Sequence, residues 1–139
     1  MALNTTAAQM VAAARARITE IPAAEAVRLH GDPDTVFVDL RDPRERDRMG
    51  AIPGAFHCPR GMLEFWVDPD SPYFKPIFGE AKRFVFHCAS GWRSALSVAL
   101  LQDMGFPAAH VAEGFTGWVA AGGPVERKAS EAQGPDGKP

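Results

Sequence analysis

Phe84-Val85-Phe86-His87-Cys88-Ala89-Ser90-Gly91-Trp92-Arg93-Ser94 is the stretch on which the fold turns. Its first four residues are aromatic, β-branched or ring-bearing, the composition of a short buried strand. From Trp92 to Met104 the chain is apolar on most faces and stops at Gly105, which reads as a well-buried helix with a glycine past its end. Strand, cysteine, tight loop and helix therefore follow one another without a gap. In parallel α/β sheets the ligand crevice opens beyond the carboxyl ends of the strands, so this order predicts Cys88 at the mouth of a crevice with a helix N-terminus aimed at it.

Outward from that segment the same alternation repeats. Val36 to Leu40 and His110 to Ala112 read as further strands, with Ile18 to Ile21 and Ala55 to His57 as shorter ones stopped by Pro22 and Pro59. Helices are expected over Pro22 to His30, over Asp42 to Met49, and over Phe115 to Ala121. The second of these has Asp42 as N-cap, Pro43 in the first position and Glu45 in the third. Strands alternating with helices predict an α/β fold, a five-stranded and mostly parallel sheet flanked by helices on both faces. Residues 60–82 form a long proline-bearing connection, a length usually reserved for function. The expected division is an extra N-terminal helix within 1–17, one domain over 18–125, and a disordered tail over 126–139 that carries no large apolar side chain.

With 139 residues, 46% of them hydrophobic, the chain has the mass for one core. A net charge of -2 with interspersed signs offers no basic stripe, so nucleic acid is not an expected partner. No apolar run approaches the roughly 20 residues that span a bilayer, and the start has no compact apolar region ahead of a cleavage site. Neither a membrane nor secretion is expected, and the chain reads as cytoplasmic. In that compartment Cys58 and Cys88 are two thiols by default.

The thiolate is the nucleophile, and an ordinary cysteine with a pKa of about 8.5 is mostly protonated at neutral pH. Backbone amides curled at a helix N-terminus favour an anion at their centre, so they would lower the Cys88 pKa and stabilise a charged sulfur added to it. That chemistry calls for no metal and no organic cofactor.

Four segments carry a resemblance to a known family: Val38-Asp39-Leu40-Arg41-Asp42-Pro43-Arg44-Glu45, Gly50-Ala51-Ile52-Pro53-Gly54-Ala55, Cys88 to Ser94, and Glu113-Gly114-Phe115-Thr116-Gly117-Trp118. In this order and spacing, from about residue 18 to 125, the chain resembles the rhodanese-like domain, a single-domain sulfurtransferase. Ala51 stands where that family often has histidine. The resemblance implies a persulfide on Cys88, loaded from thiosulfate or another sulfane donor and passed to cyanide, a thiol or a sulfur-acceptor protein. It also implies that the amides of Ala89, Ser90, Gly91, Trp92 and Arg93 cradle the added sulfur.

Cysteine phosphatases and arsenate reductases similar to this family have one more residue between cysteine and arginine, and a smaller ring of amides suits one sulfur better than a tetrahedral phosphate. His87 is reminiscent of the phosphatases, although a strand-end histidine bonded to backbone is the plainer expectation. For recognition of an anionic donor the candidates are Arg60 at the start of the long connection, Arg41 at the end of its strand, and Arg93. Arg41 and Arg93 are equally readable as structural ion-pair partners. Met62, Phe65, Trp66 and Trp92 are candidates for an apolar wall, and Cys58 for a resolving thiol if it lies close enough to Cys88.

Overall fold

The computed structural model describes residues 1–127. Five strands, β1 (Thr19–Ile21), β2 (Thr35–Asp39), β3 (Phe56–His57), β4 (Arg83–His87) and β5 (Ala109–Val111), form one sheet in the order β1-β5-β4-β2-β3. Every pairing between them is parallel. Six helices accompany them among the described residues: α1 (Ala7–Arg15), α2 (Ala23–Leu29), α3 (Pro43–Met49), α4 (Leu63–Val67), α5 (Trp92–Asp103) and α6 (Gly114–Ala120).

The central strands are apolar in their middle residues because both faces are covered there. Phe37 of β2 and Val85 of β4 pack with Ala26 of α2 and with Phe115 and Trp118 of α6. Their neighbours Val38, Phe84 and Phe86 point the other way, against Val98 and Leu101 of α5 and Leu63 and Val67 of α4. Strand periodicity of two thus divides one sheet between two cores. α1 rides outside α5, where Val11 and Ala14 meet Ala95 and Ala99, residues small enough to let the helices approach closely.

Local signals set the helix ends. Asp42 caps α3 by accepting from the Arg44 amide at 2.8 Å, and Glu45 returns the bond by accepting from the Asp42 amide at 3.1 Å. Such a capping box contributes about 1 kcal/mol. Thr6 and Gln9 form the equivalent box on α1.

Residues 60–82 are not an open connection. They fold into a 3-10 turn at Arg60–Met62, then α4, then a second 3-10 turn at Pro76–Gly79, and Leu63, Val67 and Phe78 are buried in the core. These elements are too short to show a helical period in sequence. At the other end, Trp118 donates its indole N–H to the Pro124 carbonyl at 2.8 Å, and Glu126 exchanges backbone bonds with Ala51 at 2.8 and 2.9 Å. Order therefore continues past the expected boundary at 125; the rest of the expected tail, 128–139, lies outside the described residues.

Candidate functional site

Cys88 leaves the end of β4 with 1% of its surface exposed. The loop behind it is pinned from α6: the Phe115 amide donates to the Cys88 carbonyl at 2.8 Å, and the Thr116 amide to the Ala89 carbonyl at 3.0 Å. With its carbonyls turned toward α6, the loop directs amides at the sulfur. The Gly91 N–H lies 3.1 Å from Cys88 Sγ and the Ser94 N–H 3.4 Å, with the Ser94 hydroxyl at 3.6 Å. Burial alone would raise the Cys88 pKa, but the Ser94 hydroxyl and the amides of Ser94, Gly91 and Ser90 outweigh it and hold the thiol below its ordinary value.

The arginines fall into three different settings. Arg93 lies within reach of the Cys88 sulfur, yet both of its terminal nitrogens bond Glu45 at 2.8 Å. That bidentate contact is the main reason Glu45 is lowered to about 2, and it ties the Cys88 loop to α3. Arg41 does not meet solvent at all. It is 1% exposed, bonds both carboxylate oxygens of Asp39 at 3.0 and 2.8 Å and the Gly50 carbonyl at 2.8 Å, and stacks over the Phe115 ring at 4.2 Å. The expectation that Arg41 recruits a donor is therefore corrected: its charge is spent inside the protein.

Arg60 remains accessible and makes no ion pair among the described residues. It borders a groove of about 400 Å³ between α1 and α5, with Met10, Arg17, Leu96 and Leu100. His87 is not bonded to backbone as expected. Its ring is buried, neither nitrogen has a hydrogen-bond partner among the described residues, and Nε2 faces Asp39 Oδ2 at 3.5 Å. Burial would raise the Asp39 carboxyl, but contacts with His87 and Arg41 prevail and hold it far below the usual carboxylate range. Arg46 completes this cluster with a bond to Asp39 Oδ2 at 3.1 Å.

Cys58 follows β3 and Cys88 follows β4, with β2 lying between those strands. Two inter-strand spacings of about 4.8 Å exceed the Cα separation a disulfide tolerates. Burial, with the charge of Glu64, pushes the Cys58 thiol up to about 12, the setting of a fully buried core thiol. The expected apolar wall is divided. Trp66 packs edge-on against Phe56 of the core, Phe65 turns outward to Tyr73, and Trp92 is 49% exposed at the loop.

Four residues join the site that had no assigned role in sequence. Ser94 Oγ contacts His110 Nδ1 at 2.7 Å, His110 Nε2 contacts Glu20 Oε2 at 2.9 Å, and Arg15 Nη1 bonds the same Glu20 oxygen. Ser94 was visible as the residue after Arg93; the others come from α1, β1 and β5, which no linear spacing joins.

Among the described residues no group of His, Cys, Asp and Glu is arranged to hold a metal ion, and no helix is long and apolar enough to cross a membrane. The family model for the rhodanese-like domain matches residues 22–121. No curated protein matches the chain. Among solved structures, a protein of unknown function from Rhodopseudomonas palustris, described as a possible tyrosine phosphatase, is 52% identical, with a TM-score of 0.87 over 91% of this chain and 98% of that one. A thiosulfate sulfurtransferase from Pseudomonas aeruginosa is 28% identical with a TM-score of 0.65, covering 82% of this chain and 20% of that longer one. A rhodanese-like domain protein from Staphylococcus aureus is 26% identical with a TM-score of 0.61, covering 81% of this chain and all of that one. With the parallel sheet, the cysteine loop at its carboxyl edge and a model match across most of its length, the chain belongs to the family of rhodanese-like domains.

Proposed function

We propose that the protein is a sulfurtransferase that carries sulfane sulfur as a persulfide on Cys88, in the reducing cytoplasm. The Cys88 thiolate attacks the outer sulfur of thiosulfate or a similar donor; the S–S bond of the donor breaks, sulfite leaves with the bonding pair, and Cys88–S–S⁻ remains. An acceptor nucleophile, cyanide or a thiol, then takes the terminal sulfur and returns Cys88 to the thiolate. The amides of Gly91 and Ser94, 3.1 and 3.4 Å from Sγ, support an anionic sulfur at both stages.

The observation that carries this reading over phosphate-ester hydrolysis is the state of Arg93. A phosphatase needs its loop arginine free to clamp a phosphate bidentately, whereas both terminal nitrogens of Arg93 are held by Glu45. The loop also has only four residues between Cys88 and Arg93. The description of the Rhodopseudomonas palustris relative as a possible tyrosine phosphatase makes the comparison worth running directly. Arg60, which lines the α1–α5 groove and makes no ion pair among the described residues, is our candidate for attracting the anionic donor.

Thiocyanate formation from thiosulfate and cyanide, measured beside hydrolysis of p-nitrophenyl phosphate, tests the assignment. Wild type and Cys58→Ala are expected to form thiocyanate and Cys88→Ala to form none. Stoichiometric sulfur loading with poor cyanide turnover would identify a carrier that delivers to a protein acceptor. Cys88-dependent phosphate-ester hydrolysis without sulfur transfer would overturn the proposal.

A further inference from the structure

From Cys88 a chain of polar groups runs through the protein to the surface. Cys88 Sγ is 3.6 Å from Ser94 Oγ, which is 2.7 Å from His110 Nδ1; His110 Nε2 is 2.9 Å from Glu20 Oε2, and Arg15 grips that same oxygen. Ser94 and the His110 side chain are fully buried, while the side chains of Glu20 and Arg15 are 30% and 29% exposed. Arg15 and Glu20 both precede residue 22, where the family match begins. α1 brings Arg15 into place by packing on α5, and Arg15 is fixed again by a 3.2 Å bond from Nη2 to the Ala112 carbonyl.

We propose that Ser94, His110 and Glu20 form a proton relay that takes the Cys88 thiol proton inward, with Arg15 as the residue that positions Glu20. The Glu20 carboxylate only accepts, so His110 carries its proton on Nε2 and presents Nδ1 as an acceptor to the Ser94 hydroxyl. The thiol in turn donates to Ser94 Oγ. When Cys88 ionises, its proton passes to Ser94 Oγ as the serine's own proton moves to Nδ1. The products are a thiolate that accepts from the Ser94 hydroxyl, and an imidazolium paired with Glu20. One proton has moved and none is gained or lost.

The charged groups facing this chain come from several elements. Glu20 (β1), Arg15 (α1) and Glu113, just before α6, face His110, and Arg93 (α5), itself paired with Glu45 of α3, faces the sulfur. Burial lowers the His110 pKa and Arg15 adds to that, while Glu20 and Glu113 oppose it. With Nε2–H given to the Glu20 carboxylate, Nδ1 is left open to the Ser94 hydroxyl. A neighbouring thiolate then favours the imidazolium. His110 and Glu20 do not touch the reacting sulfur, so they act through Ser94 as positioning residues.

The inference rests on Cys88 being the reactive thiol and not on sulfur being its cargo. The test therefore reads alkylation by iodoacetamide, which can succeed or fail independently of sulfur transfer. In wild type the rate is expected to rise with pH about a midpoint below that of an ordinary thiol. Glu20→Gln keeps the size and a hydrogen-bond acceptor for Nε2 but cannot balance an imidazolium. It is expected to move the midpoint up by about one unit, slowing alkylation about tenfold at pH values well below both midpoints. A purely structural role would lower thermal stability without displacing the midpoint. Because His110 variants risk misfolding, the second measurement uses native protein: the ¹⁵N shifts of the His110 ring are expected to report imidazolium as Cys88 ionises, and the neutral ring at the same pH after Cys88 is methylated. A folded Glu20→Gln protein whose profile superimposes on wild type, or a His110 ring indifferent to methylation of Cys88, would overturn the relay.

Discussion

Asp39→Asn is expected to destabilise the protein by about 3–5 kcal/mol, read as a lower urea midpoint in equilibrium unfolding. The size of the effect follows from what the substitution strands. Arg41 is 1% exposed and answers its charge with two bonds to Asp39, and Arg46 adds a third to the same carboxylate. Removing the negative charge leaves a buried guanidinium uncompensated, which costs far more than the loss of a surface pair. The pH dependence has a definite sign. Asp39 is lowered in the folded protein, so its contribution is present above the unfolded carboxyl value near 3.8 and is lost as pH falls toward the depressed folded value. Asp39→Asn should therefore flatten the acid limb of the stability curve. A shift below about 1 kcal/mol would mean the cluster is not the anchor of the β2 end.

Gly91→Ala is expected to reduce sulfur transfer about a hundredfold, the scale on which losing one oriented amide donor acts. Gly91 has φ +101°, and a Cβ there would lie 2.3 Å from the Ala112 carbonyl oxygen and 2.7 Å from Arg15 Nη2. The first is backbone at the exit of β5 and cannot give way cheaply, and moving the second would displace the guanidinium that holds Glu20. The loop must shift, and with it the Gly91 amide that lies 3.1 Å from Sγ. Steady-state rates on folded protein check this, and near-wild-type turnover in Gly91→Ala would show that this amide does not support the reacting sulfur.

The parallel sheet and the position of Cys88 were legible because they depend on local order. Short apolar strands alternate with capped helices, and the Asp42–Glu45 capping box is written in four consecutive residues. Residues 60–82 were misread because α4 has only five residues, fewer than two helical turns, so its buried Leu63 and Val67 left no period to find. Arg41 was a plausible anion binder from its place at a strand end. Its burial depends on Asp39, Gly50 and Phe115 converging from β2, the end of α3 and α6, which sequence does not bring together. The same limit hid His110 and Glu20. They are opposite each other in register across β5 and β1 yet separated by 90 residues of chain. Pair chemistry between strands becomes readable only when the strand order is known.

Whether Cys88 holds sulfur is decided most directly by intact mass spectrometry of wild type, Cys88→Ala and Cys58→Ala after incubation with thiosulfate and removal of the donor. Wild type and Cys58→Ala are expected to gain the mass of one sulfur atom, to lose it on addition of cyanide or a reducing thiol, and Cys88→Ala to gain nothing. An equal gain in Cys88→Ala, or no gain in any of the three folded proteins, would contradict a persulfide on Cys88.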